Sequence, residues 1–241
     1  MSANPYQIEA GYAALLVEIE PLLFLARDSG LQQAGIGRVE AFLKKVEFSR
    51  ITAIQAQEER NANALLGLAM VVAALGSELN VYLLLKSDQP EAAWNNLIDA
   101  QEQTLAAGRA TDALTNLQAK FEHLRTLEDH LFPPQTFVSS GLIAGRQLCS
   151  ICRADYAACD HLVGRAYMGR FCSLSLEDIR LDHIALVEQP ADRRCRVVTM
   201  KVDGVTRNKM TWLPAPAGAD KKGNSEAILA LASPRYLYPE D

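Results

Sequence analysis

The sequence predicts an α+β protein, with an N-terminal antiparallel helical bundle over residues 1–132 and a small β-rich domain after it. Three observations carry that expectation. Apolar residues recur at spacings of three and four up to about residue 131, where Pro and Gly are scarce. Beyond Pro133-Pro134, glycines and β-branched residues rise and the period moves towards two. Four of the five cysteines and one of the four histidines then fall within residues 149–172, after 148 residues without a cysteine.

The totals narrow the class. The chain has 241 residues, 49% hydrophobic and 22% charged, the balance of a globular protein able to bury a core. Its formal net charge is −5, so no global basic field marks it for nucleic acid or an anionic membrane. The N-terminus, MSANPYQIEAGY, lacks a cationic start and a continuous apolar run, which leads us to expect a cytoplasmic protein. The most apolar stretch, Ala64 to Gly76, covers 13 residues, short of the roughly 20 a membrane span needs, so it reads as a buried bundle helix.

Taken in order, Ile8, Tyr12, Leu15, Leu16, Ile19, Leu22 and Leu23 form one stripe, expected to be a single amphipathic helix ending near Asp28-Ser29-Gly30. A second run starts after Gly37 and either continues into the apolar stretch or breaks near Glu58-Glu59-Arg60. Ser87 to Glu91 is a helix start, because proline suits the first turn and acidic groups complement the N-terminal dipole; Trp94, Leu97, Ile98 and Leu105 follow on one face. Thr111 or Asp112 can cap a last helix carrying Leu114, Leu117, Phe121, Leu124 and Leu127, which Pro133-Pro134 stops.

In the second half, residues 180–188 read as a strand, and Asp203-Gly204 is the dipeptide a tight type I′ hairpin prefers. From Pro214 the chain is rich in Pro, Ala, Gly and charge. We expect a flexible tail over 214–241, with a weak apolar patch at Ile228 to Leu231.

Cys149-x2-Cys152 and Cys159-x-His161 are two ligand pairs of the kind tight turns present to one ion. Thiolate with imidazole favours Zn2+, and a closed set of four protein ligands points to a structural ion rather than a catalytic one. A reducing cytosol also favours metal ligation over disulfides. The β-rich module over 135–213 is therefore expected to be zinc-stabilised, since a short segment with little core gains stability directly from the metal. Cys172 is a fifth candidate, able to replace His161 or to sit nearby as a buried small hydrophobe.

The spacing C-x2-C-x6-C-x-H-x2-G-x2-Y-x-G-x2-C, formed by Cys149, Cys152, Cys159, His161, Gly164, Tyr167, Gly169 and Cys172, resembles a small zinc module of phage-related and uncharacterised bacterial proteins. Some of those proteins resemble phage prohead proteases. The likeness covers about residues 143–200, and HIALVEQPADRRCRV (183–197) is similar to a strand segment of the same company. It implies a zinc-binding fold for this region. It does not extend to proteolysis, because those proteases set a serine and a histidine in a larger β-domain, whereas helices precede the module here; no catalytic residue is assigned.

Three further patterns stand in the sequence. Arg125 and His130 match the R-x4-H spacing of helical HEPN-type ribonucleases, although both types also complement a helix C-terminus. His183, beside Asp182, reads as a surface or satisfied histidine, and a maturation-protease reading would need a serine such as Ser173 or Ser175. Arg165, Arg170, Arg180, Arg193, Arg194, Arg196, Lys201, Arg207 and Lys209 would make a nucleic-acid patch if they converged, with Tyr167, Phe171 and Trp212 as the only aromatics to interleave. The sequence thus favours a zinc-binding interaction or assembly protein, partnered by another protein or by a second copy through the bundle, and its rival is a nucleic-acid-directed effector using Arg125 and His130.

Overall fold

The structure, a computed structural model, describes residues 5–114 and 116–215. It is α+β, with five α-helices followed by a strand-rich region among the described residues. These are α1 (Pro5–Ile19), α2 (Ser29–Gln55), α3 (Glu59–Lys86), α4 (Pro90–Ala110) and α5 (Leu117–Leu131), then β1 (Phe137–Ile143), β2 (Arg146–Cys149), β3 (Ala166–Tyr167), β4 (Arg170–Phe171), β5 (Leu174–Glu177), β6 (Arg180–Val187), β7 (Thr199–Val202) and β8 (Val205–Asn208). The described residues form two compact units, one of those up to 132 together with 145–177, the other of 133–144 together with those from 178 on. The boundary at 132/135 is a change of sequence texture and the compact units follow packing, so the two lines fall in different places.

In the first unit, α3 packs against both α2 and α4, and three-residue turns on either side reverse the chain. The first helix is shorter than its apolar stripe suggests. It ends at Ile19 because Pro21 lacks the N–H that would continue the ladder, and a 3-10 turn over Glu20–Leu22 follows. The second is longer, starting at Ser29, where Asp28 accepts the Leu31 N–H at 3.0 Å as N-cap. Fully buried Gln32 then secures the connection by donating to the Leu22 and Phe24 carbonyls, each at 2.9 Å.

The break between α2 and α3 lies at residues 56–58, where Gln57 takes a left-handed conformation. At 28 residues, α3 is long and apolar enough to cross a membrane by length and composition alone, yet 61% of its most apolar window is buried inside the bundle. Leu66, Val72, Leu79 and Val81 are fully buried there. On α4, Trp94, Leu97 and Ile98 are buried as expected, but Leu105 is 43% exposed while Gln101 and Thr104 turn inward. Gln101 donates to Glu128 of α5 at 2.9 Å, and Trp94 meets Phe132 edge-on with ring centroids 5.4 Å apart.

A buried ion cluster joins α3 to α5. Glu78 is fully buried, bonded to Lys120, to His123 at 3.0 Å and to the Tyr82 hydroxyl at 3.1 Å. Burial opposes its ionisation, but the His123 and Lys120 hydrogen bonds and charges outweigh that and hold its pKa below the usual carboxylate value. Burial and the Glu78 charge together push the Tyr82 phenol upward.

The second unit has two antiparallel pairs. β1 pairs with β6 from Phe137↔Val187 to Ile143↔Arg180, with an irregularity at Gly141/Leu142. β7 and β8 form the hairpin foreseen at Asp203-Gly204, and both residues have positive φ. The expected tail begins against this hairpin, since the Ala215 N–H donates to the Thr206 carbonyl at 2.8 Å. Its remainder, residues 216–241 with the Ile228 to Leu231 patch, lies outside the described residues.

Candidate metal centre

The cysteine-rich segment belongs to the first unit. It is framed by β2 and β5, which pair antiparallel from Arg146↔Glu177 to Cys149↔Leu174. A tight knuckle follows Cys149: its N–H donates to the Ala154 carbonyl, and Arg153 returns its N–H to the Cys149 carbonyl, each at 2.9 Å. Arg153 sits at φ 62°, a left-handed turn that brings Cys152 back beside Cys149. Asp155 then caps a short 3-10 turn over Tyr156–Ala158, accepting from Ala157 N–H at 3.0 Å, and that turn delivers Cys159 and His161.

One donor atom from each of Cys149, Cys152, Cys159 and His161 lies within 4.8 Å of every other. Cys152 Sγ and Cys159 Sγ are 3.4 Å apart, and Cys159 Sγ and His161 Nδ1 3.3 Å. Sulfurs bound tetrahedrally at about 2.3 Å would stand about 3.8 Å apart, so three sulfurs and one imidazole nitrogen have the composition and nearly the spacing for a small divalent ion. The cluster can hold a metal ion. Cys172 is adjacent: its Sγ is 3.7 Å from that of Cys149, and the pair is buried to 1% and 0% exposure. The remaining cysteine, Cys195, belongs to the second unit, where burial, with Asp192 adding to it, raises its thiol pKa to about 11.

The thiols are electrostatically unequal. Burial disfavours the Cys149 thiolate, but hydrogen bonds from the Cys152 and Ile151 backbone and from the Cys159 and Cys172 thiols outweigh it and lower the pKa to about 6. Burial and the charge on Cys149 raise both Cys159 and Cys172 to about 11. Around the ligands, the Tyr167 ring stands edge-on to His161, centroids 4.6 Å apart, while its hydroxyl accepts the Leu162 N–H at 2.9 Å. That contact fixes the imidazole plane.

A second hairpin, β3–β4, fastens the cluster to the helices. Its turn is Met168-Gly169, at φ 46° and 71°. Asn63 on α3 accepts the Gly169 N–H at 2.7 Å and donates to the Ala166 carbonyl at 3.4 Å, and Glu59 accepts the Met168 N–H at 3.2 Å. Arg50, 8% exposed on α2 and held by Glu47, donates to the Gly169 carbonyl. Phe171 packs against the cluster of Met70, Ala106 and Ala107. Sequence reasoning missed this dock. Tyr167-Met168-Gly169-Arg170 carried a weak turn signal, whereas nothing in α2 or α3 marked Arg50, Glu59 and Asn63 as its partners.

The other candidate residues lie elsewhere. Arg125 and His130 are both on α5, but five residues apart places them about 140° apart around the helix. Arg125 reaches Glu128 at 3.7 Å, and His130 Nδ1 meets the Thr126 carbonyl at 2.7 Å. His183 on β6 bonds Asp182 at 3.0 Å and lays its ring over Gly141, where a Cβ would collide with it. Ser173 and Ser175 serve the β2–β5 pairing, the Ser173 N–H donating to Ser150 Oγ at 2.8 Å. In the basic string, Arg165 and Arg170 fall in the first unit and the rest in the second, where Arg193 lies 5.3 Å over the Phe137 ring, Arg194 pairs with Asp192 and Lys209 bonds Thr136.

No family model matches the chain, and no curated protein or solved structure matches it either.

Proposed function

We propose that the chain is a zinc-binding interaction or assembly protein in which one ion is structural. The observation that carries this reading is the convergence of Cys149, Cys152, Cys159 and His161 within 4.8 Å of one another. Zinc is the metal best suited to three thiolates and an imidazole, and four protein donors leave no open position for a substrate or water. The ion would lock a knuckle and a hairpin that have little core of their own, and Arg50, Glu59 and Asn63 would pass that order to the bundle. The ligand spacing supports membership of the phage-related zinc module, and a cytoplasmic setting would keep the thiols reduced for ligation.

The partner-facing part of the reading rests on exposed apolar residues. On the helical unit Val17 is 75% exposed and Phe24 and Phe48 are each 59% exposed, which suits a second copy or a protein partner. Metal analysis of the purified chain tests the whole proposal. One zinc per chain, with a melting temperature that falls by 10 °C or more in strong chelator and returns on adding zinc, is expected. Metal-free protein with an unchanged melting temperature would overturn it.

A further inference from the structure

The helical unit contains a cleft of about 980 Å3, at the upper end of the range for small-molecule sites, walled by α1, the end of α2, α3 and α5. Its floor is one face of α3, where Ala64, Leu68, Val71 and Leu75 recur at spacings of four, three and four. That face runs for about 16 Å at 1.5 Å per residue. Leu16, Leu23, Leu114 and Leu117 line it from the sides, so most of its wall is apolar.

One polar atom in this wall has no partner. Ser49 lines the cleft and is 7% exposed, and its Oγ is the single buried side-chain N or O atom among the described residues without a hydrogen bond. Other helical hydroxyls find partners, most of them at the carbonyl four residues back: Thr52 to Phe48 at 2.9 Å, Ser87 to Leu83 at 2.7 Å, Thr104 to Ala100 at 2.8 Å. Ser49 does not, and leaving a buried hydroxyl unsatisfied costs on the order of 1–3 kcal/mol. A ligand atom is the partner its position invites.

Charge selects the kind of ligand. Gly11 lies against Phe42 and Gly35 against Ile19, so α1 runs antiparallel along α2 and brings Glu9 to the end of α2 that carries Ser49. Glu58, just past that end, also lines the cleft, and neither carboxylate has an ion-pair partner among the described residues. The two cations of the cleft, Lys120 and His123, both engage Glu78. The Ser49 end is therefore acidic and the α3 floor beyond it apolar, with Glu20 a third carboxylate on the wall.

We propose that this cleft binds a lipophilic amine, with an apolar body of about ten carbons along α3 and an ammonium head between Glu9 and Glu58 that donates a hydrogen bond to Ser49 Oγ. The inference is independent of the metal. Calorimetric titration of the full chain as purified with decylamine, decanol and decanoate, all below their micelle concentrations, tests it. One decylamine per chain, bound at least tenfold more tightly than decanoate, is expected. Leu68→Trp, which fills the floor, should abolish binding with helicity and melting temperature retained, and Val71→Phe gives the same reading should the first variant not fold. Ser49→Ala should weaken the amine several-fold while raising the stability of the free protein. Equal affinity for all three probes, preference for decanoate, absence of saturable binding, or amine binding unaffected by a folded floor-filling variant would each overturn the proposal. So would light scattering that shows a dimer dissociated by Leu68→Trp, which would assign the cleft to a second copy.

Discussion

The Asn63 side chain on α3 grips the turn of the β3–β4 hairpin at Gly169, accepting that residue's N–H at 2.7 Å while its own amide donates to the Ala166 carbonyl at 3.4 Å. One helical side chain thus satisfies both the turn and the β3 strand of the hairpin that leads to Cys172. Asn63→Ala should cost about 1–3 kcal/mol, the penalty of orphaned backbone groups. Denaturant unfolding measures that loss. Metal stoichiometry should stay the same while chelator strips the ion faster, because the ligands remain and only their support is loosened.

Gly169 should tolerate no side chain. Its φ of 71° favours glycine, and a Cβ there would lie 3.1 Å from both Ala62 and Ile54. Gly169→Ala combines backbone strain with a contact that neither neighbour can easily relieve, so about 1–3 kcal/mol is expected to be lost. A thermal melt that moves by less than a degree would show that the hairpin is not seated on α2 and α3.

Glu78 and Lys120 should respond unequally to substitution. Lys120→Met leaves a fully buried carboxylate with only His123 and Tyr82, at a cost of about 3–5 kcal/mol. Glu78→Gln leaves Lys120 and His123, whose side chains are 22% and 47% exposed and can turn to water, so the loss is smaller. The same cluster sets a pH dependence. The Glu78 pKa is lower when folded than its ordinary value of 4.5, so its contribution is fully present above about pH 4.5 and is lost as pH falls through the folded value. Unfolding free energy measured from pH 6 to 3 should show that acid limb in the native protein and a weaker one in Glu78→Gln.

Among the cysteines, Cys149→Ala should abolish stoichiometric metal, since Cys149 lies within reach of every other donor. Cys172→Ala should keep one ion per chain and lose only packing. Cobalt substitution gives the readout, because the intensity of its visible absorption follows the number of thiolates bound. A spectrum that loses one thiolate in Cys172→Ala but is unchanged in His161→Ala would place Cys172 in the ligand set.

The helices and the hairpin at Asp203-Gly204 were legible because their causes are local: a stripe of apolar residues, a capping Asp28, a dipeptide suited to positive φ. Helix ends were less legible. Pro21 ended α1 early although the apolar stripe ran on to Leu23, and Gln57 adopted a left-handed turn that no glycine announced. The convergence of Cys149, Cys152, Cys159 and His161 was readable from their paired spacing. Its seating was not, because Arg50 and Asn63 look like ordinary surface residues until Gly169, more than a hundred positions away, is folded against them.

The path of the chain has a practical consequence for dissecting the gene. β1 and β6 pair with each other, yet residues 144–179 separate them, and nearly all of that stretch lodges with the helices. Severing the polypeptide at Pro133-Pro134 would strand the ligands from Arg50, Glu59 and Asn63. Excising residues 145–177 would instead leave Ala144, Asp178 and Ile179 to join β1 to β6, a link of ordinary hairpin length. The excised loop enters and leaves at one neck, where the Gly145 N–H meets the Glu177 carbonyl at 3.0 Å, so it could be grafted back or exchanged as a cassette.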